Sequence, residues 1–457
     1  MIPLPFHSYK LAERSASSAR LVNIYAETNS QDAKGPLLLR HSPGIRLAVT
    51  PGAGGPGRGL IPFRGGLLVV SGDRLLSMDS LEVLTDLGEI AGTEPVYWAV
   101  AVDGVVIINE AGTGYFWDGT TLATITDTDF TSRNPGPCAF LDNYILVIEK
   151  GTGRFFSSEL ADSTNYDGLK FATAEAFPDN LVSILSDHGQ AILFGEESVE
   201  LWYNAGLPSF PFVRVSGGIV SLGCAAARSP VALDNSVLWL ANDGTIRRLN
   251  GVTPLRISHH AIEQAILTYP RMDDCQSFAY TLDGHLCAAF RFPSAGITWI
   301  YDATTGAWHE RSSNWPLESW AAVGTANVYN KTWTQHPDTG AVGELSPDVY
   351  TEWGNPIRRE WTYQSIYQNG RRISHRSVEI SVETGVGSAQ GPEPKIRLEM
   401  SNDGGRTFIN LPERGIGAQS QTIRKVRWSG LGSSEDRVYR ASYSAPHKLT
   451  VWGTNRE

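Results

Sequence analysis

Four cysteines, four methionines and a charged fraction of only 19% are what this 457-residue chain has little of. Cys138, Cys224, Cys275 and Cys287 are scattered, with no C-x-x-C pair, which argues against a zinc site and a disulfide-rich scaffold. Buried free thiols are the expectation. No stretch approaches the ~18 consecutive apolar residues of a membrane span. The opening Met1-Ile2-Pro3-Leu4-Pro5-Phe6-His7 has no basic segment followed by an apolar run. Neither a membrane span nor a signal peptide is therefore expected, and folding in a cytosol is. The chain also lacks G-x-x-x-x-G-K-[ST]; the glycines from Gly52 to Gly59 come with Pro56 and no following helix, so no phosphate cradle is expected.

What is plentiful is turn formers and aromatics: 46 Gly, 25 Pro and 13 Trp, with few Ala/Leu/Glu/Lys-rich stretches. The composition leans to β-structure. A net charge of −10 disfavours tight DNA binding, yet a like-charged wall lets a polyanion slide past without sticking. The length suggests two or three domains unless a repeat spreads the core sideways.

Such a repeat is present from Gly59 to about Trp308. A short strand, a tight polar turn, an apolar strand, a second turn and another apolar strand recur, as in GGLLVVSGDRLLSM (65–78) and DNSVLWLANDGTIRRLNG (234–251). The turn residues Gly65, Gly104, Asn143, Gly189, Asn235 and Gly284 follow one another at steps of 39, 39, 46, 46 and 49 residues. Asp-Gly and Asp-Asn pairs suit the positive φ of two-residue hairpins. The apolar runs between them are too short for helices. Units of this length, each of several short antiparallel strands, mark a β-propeller, whose blades cover each other's faces. Six copies are clear and a seventh, around 320–336, is weaker, so six or seven blades are expected. One or two β-sandwiches is the competing architecture.

The organisation expected is an N-terminal extended arm and closing strand (1–55), a propeller (56–349) and a C-terminal antiparallel β domain of sandwich or jelly-roll type (350–457). A helix over 258–269, with Ser258 as N-cap and Pro270 beyond its end, is placed between two blades. The C-terminal arginines, among them Arg358, Arg371, Arg372, Arg376, Arg424, Arg427, Arg437 and Arg440, read as a solvated face that discourages edge pairing, or as an interface to an acidic partner.

Each candidate for chemistry has a plainer structural reading. Ser401-Asn402-Asp403-Gly404-Gly405-Arg406-Thr407-Phe408 fits the Asp-box turn found in sialidases, where the acid stabilises a hairpin and is not catalytic. It occurs once, outside the repeats. Arg371, Arg372 and Tyr363 could on paper supply a sialidase's arginines and nucleophile, but no acid stands at a suggestive spacing. His259 and His260 are adjacent on a helix and face different ways, which does not suit one metal ion. Glu196, Glu197 and Glu200 read as a polar turn and strand edge, and Asp273-Asp274 lacks the further oxygens of a calcium loop. Trp202, Trp239, Trp299 and Trp308 read as blade packing. No catalytic, cofactor-binding or metal-binding residue is assigned, no cofactor is expected, and the chain is not expected to be an enzyme.

Five segments in order carry a resemblance: LVNIYAE (21–27) with LLRHSPGI (38–45), EESVELWYNAG (196–206), SHHAIEQAILTY (258–269), TWIYDATTGAWHER (298–311) and SNDGGRTF (401–408). Together they resemble the packaged-DNA stabilisation proteins, or tail hubs, of short-tailed bacteriophages. The resemblance implies a structural virion protein in the tail, made in the host cytoplasm. It further implies a homo-hexameric ring below the portal adaptor that extends and closes the DNA channel and seats the tail needle and tailspikes or fibres, with DNA passing through unbound. A carbohydrate-active or carbohydrate-binding propeller and a monomeric interaction module are the rival readings.

Overall fold

The computed structural model describes residues 2–457 apart from 12–16, 30–34, 53, 315, 388–391 and 422–423. The repeats fold as sheets arranged around an axis. Residues 57–89, 97–124, 135–173, 181–220 and 231–256 each form a four-stranded antiparallel sheet, and residues 276–311 and 323–346 supply two more. The first strand of each is innermost. In blade 1, Gly57–Phe63 pairs with Gly66–Ser71, which pairs with Arg74–Met78, which pairs with Leu84–Glu89.

Successive side chains of a strand point to opposite faces, and here both faces are apolar because both meet a neighbouring blade. Ile61, Leu68 and Val70 of blade 1 pack with Val105 and Ile107 of blade 2. Their chain neighbours Leu60, Leu67 and Val69 pack with Ala326, Val328 and Trp333 of blade 7. The same division recurs between every other adjacent pair of blades. The propeller therefore has seven blades, with a separate hydrophobic cluster at each of its seven interfaces.

Blade 7 is weak in sequence because it is incomplete in sequence. Val323–Val328, Lys331–Gln335 and Val342–Ser346 are its own strands, and the fourth is Gly44–Val49, which lies antiparallel to Val342–Ser346 with Ile45 opposite Leu345. The ring is thus closed by a strand that precedes blade 1.

The hairpins between first and second strands bear out five of the six expected turn residues, and blade 7 adds a turn of the same kind at Tyr329-Asn330. Arg64-Gly65, Asp142-Asn143, His188-Gly189, Asp234-Asn235, Asp283-Gly284 and Tyr329-Asn330 each place two consecutive residues at positive φ, the geometry of a type I′ turn. Blade 2 departs from the expectation. Gly104 is not among the positive-φ residues; a side chain there would run into the Trp117 carbonyl and the Phe116 ring. Glycine is needed at that position for space.

The helix, His260–Leu267, sits where expected, with Ile262 and Ile266 in the cluster between blades 5 and 6. Its N-cap differs from the expected Ser258. His259 is the N-cap and makes no side-chain cap bond. Ser258 Oγ instead accepts from Ile246 N (3.0 Å) and donates to the helix residue Glu263 (2.6 Å), so its hydroxyl ties the blade to the helix side chain and not to the helix backbone.

Beyond blade 7, Ser377–Val382, Val426–Ser429 and Thr450–Arg456 join Ile24–Thr28 and Leu37–His41 in one five-stranded sheet. Arg359–Thr362, Asp436–Tyr443 and Lys395–Ser401 extend a second sheet, which includes Ser18–Val22. Side chains of both sheets, among them Leu21, Leu39, Trp361, Ile380, Trp428, Tyr439 and Val451, share a single cluster. This C-terminal unit is continuous with the propeller. Val22 pairs in parallel with Glu310 on the outer strand of blade 6, so one sheet runs from blade 6 into the unit.

Candidate functional site

Buried polar contacts are dense at the propeller axis and at the seam beside blade 6. The starts of the inner strands of blades 1, 2, 6 and 7 leave a funnel of 380 Å³ whose wall includes Arg58, Trp98, Arg228 and Phe278. Arg228, on the segment leading into blade 5, reaches across to blade 2. It donates to the Tyr97 hydroxyl (2.8 Å), to the Pro95 carbonyl and to Glu110 (3.2 Å), and its guanidinium lies 4.1 Å from the centre of the Tyr97 ring. Lys150 of blade 3 bonds the Glu110 carbonyl and stands 3.8 Å from its carboxylate. These contacts form a strut between blades on opposite sides of the axis. Arg58 is buried and donates to the carbonyls of Gly72, Ile90, Ala91 and Glu94; burial lowers its pKa.

The second place is the seam between blade 6 and the C-terminal unit. Asn23 sits at φ +56°, a left-handed conformation that asparagine tolerates better than most residues. Its amide donates to the carbonyls of Ser312 and Arg358 (both 2.8 Å) and accepts from Ser312 N (3.0 Å). Beside it Arg20 forms a two-pronged ion pair with Glu310. Arg311, wholly buried, donates to the Pro43 carbonyl (2.9 Å) and to Glu352 (3.2 Å). A side chain at Gly44 would strike the carbonyls of Val349 and Thr351. The N-terminal asparagine strand and its Ser-Pro-Gly turn are therefore the pins of this seam.

A family model described as the bacteriophage P22 Gp10 β-propeller, of the phage stabilisation family, matches residues 9–350. The chain belongs to that family. It is accordingly a phage stabilisation protein with a β-propeller fold. No curated protein matches it. Solved structures overlap it loosely. A catalytically inactive virginiamycin B lyase from Staphylococcus aureus with quinupristin is 12% identical with a TM-score of 0.45, over 67% of this chain and 98% of the lyase. The Cps50 (Swd1) β-propeller domain of Myceliophteria thermophila is 9% identical with a TM-score of 0.40, over 66% and 98%. Overlaps this loose carry no argument about chemistry.

In this phage stabilisation propeller the other candidate residues lie apart. Asp403 accepts from the amides of Arg406 (3.0 Å) and Thr407 (2.9 Å) and from the Thr407 hydroxyl (2.6 Å). Against a desolvation that would raise it, the Ser401 hydroxyl (2.6 Å) together with those bonds holds its carboxyl well below the usual carboxylate range, as a turn-stabilising acid requires. Tyr363 is fully buried, its hydroxyl bonded to Trp361 and Thr454, and burial pushes its pKa up to about 12. Arg371 and Arg372 are on an exposed turn.

Two side chains expected at the surface are buried. Arg437 is 1% exposed, because Ser434, Tyr439 and the Leu431 carbonyl satisfy its guanidinium. Glu200, also 1% exposed, accepts from Trp202 Nε1 (2.9 Å) and Ala176 N (2.7 Å) at a register shift in blade 4. Glu196 and Glu197 are exposed. Asp273 pairs with Arg271 and Asp274 caps Ser294 N, and Trp202, Trp239, Trp299 and Trp308 lie in inter-blade clusters. The four cysteines are buried and free. Among the described residues no three His, Cys, Asp or Glu side chains are placed to hold a metal ion.

Sequence reasoning missed the axial residues. Their signal is local: Arg58 and Arg228 are lone cations set among small residues, in GGPGRGL and CAAARSP. A charge has no reason to be there unless backbone carbonyls or a distant partner receive it.

Proposed function

We propose that this chain is a tail hub subunit of a short-tailed phage, in which six copies form a ring below the portal adaptor. The ring extends the DNA channel, closes it once the genome is packaged, and presents loops that seat the needle and the tailspikes or fibres. The family match across 9–350 is the observation that carries this reading. The architecture suits it. A closed wheel of seven blades, welded to a second β unit through a continuous sheet, is a stiff block. The Arg228 strut crosses the bore, so the channel in this reading is the space enclosed by the ring of copies. A net charge of −10 lets DNA pass without being held. The chain acts by shape and carries out no reaction, and it resides in the virion tail.

Particles assembled without this protein are expected to package DNA and then lose it, read as full capsids that empty on purification. Mutant particles that kept their genomes and failed only to adsorb would replace this reading with receptor binding. Turnover of a sialoside or polysaccharide by the purified chain would overturn the non-enzymatic part.

A further inference from the structure

The axial funnel has features that a purely structural axis does not need. Trp98 lies on the inner strand Tyr97–Val100 of blade 2, yet it is 37% exposed, beside a space kept open by small residues. A side chain at Gly59 would come within 3.1 Å of Val96 and 3.9 Å of Trp98, and Gly324 across the funnel has nothing within 4 Å of where a Cβ would be. The charged residues that line the funnel are both arginines, Arg58 and Arg228, in a chain whose net charge is −10. Arg58 on its wall is 2% exposed, and Arg291, 8% exposed, donates to Gln276 of the wall. Among the described residues neither has a carboxylate within ion-pair distance. Arg228 must share Glu110 with Lys150. Its side chain is nonetheless 22% exposed and lines the funnel, so a ligand can reach the guanidinium.

We propose that the funnel is a docking pocket for an acidic polypeptide segment of a neighbouring protein, which inserts a carboxylate toward Arg228 and an apolar side chain against Trp98 and Phe278. The positive wall supplies the charge complementarity, and the aromatic pair supplies a buried anchor of the kind that dominates protein interfaces. The shape favours a peptide over nucleic acid. A concavity of 380 Å³ accepts a few side chains, whereas the phosphates of a duplex stand on a convex backbone that cannot descend into it. This deepens the hub reading, because a pocket on the axis of each copy gives a neighbouring tail protein one seat per subunit.

The test uses the full chain and a defined probe, the blocked dipeptide N-acetyl-phenylalanyl-glutamate, followed by saturation-transfer NMR and calorimetry. The corresponding diamide, inorganic phosphate and a twelve-base single strand serve as comparisons. Binding of the diacid in the millimolar range or tighter, at least ten-fold stronger than the diamide and weakened by salt, is expected. Trp98→Glu should abolish it, and Arg228→Gln should weaken it at least ten-fold. Trp98 is partly exposed, so the first variant keeps its fold even if loss of the strut makes the second unstable. No binding at 10 mM, equal binding of acid and diamide, or preference for phosphate or the oligonucleotide would each overturn the proposal. If the peptide fails to bind while particles lacking the protein still leak DNA, the pocket alone is refuted; if it binds while such particles hold their genomes, the hub reading fails.

Discussion

The propeller and the C-terminal unit bury their sheets in opposite ways. The propeller divides its apolar side chains among seven thin clusters, each shared by two blades, so second strands such as Val105–Ile108 and Ser236–Leu240 are buried on both faces while outer strands such as Leu84–Glu89 are largely exposed. The C-terminal unit gathers the side chains of two sheets into one cluster, and the strand Lys395–Ser401 begins with exposed Lys395 and Arg397 alternating with buried Ile396 and Leu398. A ring of pairwise interfaces is only as sound as its closure, whereas a single core is closed by its own packing. The difference explains why the N-terminal residues are used twice, Gly44–Val49 to complete blade 7 and Ser18–Val22 to tie the unit to blade 6.

The sharpest way to break this contrast is to empty each kind of core. Trp239, fully buried between blades 4 and 5, and Trp428, in the C-terminal cluster, are each expected to cost about 3–5 kcal/mol on truncation to alanine. If the continuous sheet couples the regions, both variants lower one common calorimetric transition. Two transitions, each moved by only one variant, would show that the regions unfold separately.

A second comparison lies within the propeller. Gly65→Val strains a turn glycine at φ +78° with open space around it and should cost about 1 kcal/mol. Gly104→Val meets a wall and should cost about 1–3 kcal/mol through overpacking. Denaturant midpoints check the order; equal losses would mean that the wall at Gly104 yields.

A third separates the seam from the rest. His309, on the outer strand of blade 6, is 3% exposed, and burial lowers its pKa to about 3. The unfolded chain takes up a proton below about pH 6.5 that the folded chain refuses. This contribution to stability is therefore intact above that pH and is lost as pH falls toward 3, at about 1.4 kcal/mol per unit. The melting temperature of His309→Gln should fall less between pH 7 and 5 than that of the natural chain. Parallel curves would contradict the burial effect.

The sequence made the propeller legible because its turns are local chemistry. Asp142-Asn143 and Asp283-Gly284 announce a hairpin without reference to anything distant. What escaped depends on contacts across long separations. Blade 7 looked weak because its fourth strand lies some 290 residues earlier, at Gly44–Val49. The C-terminal strands read as a stretch apart, but their sheet partners Ile24–Thr28 and Leu37–His41 precede blade 1. Arg437 and Glu200 read as surface residues because a single strand does not reveal which neighbours will satisfy a charge. The Asp-box at 401–408 is legible because the hydrogen bonds of the Asp403 carboxylate are all local.

Closure of the ring by the early strand is most directly tested by native-state hydrogen exchange on Gly44–Val49. The backbone amides there that bond Val342–Ser346 should exchange as slowly as those of the third strands of blades 1 to 5, and only through global unfolding. Exchange at the rate of an exposed loop, with blades 1 to 6 still protected, would mean that the wheel is open and that its rigidity has another source.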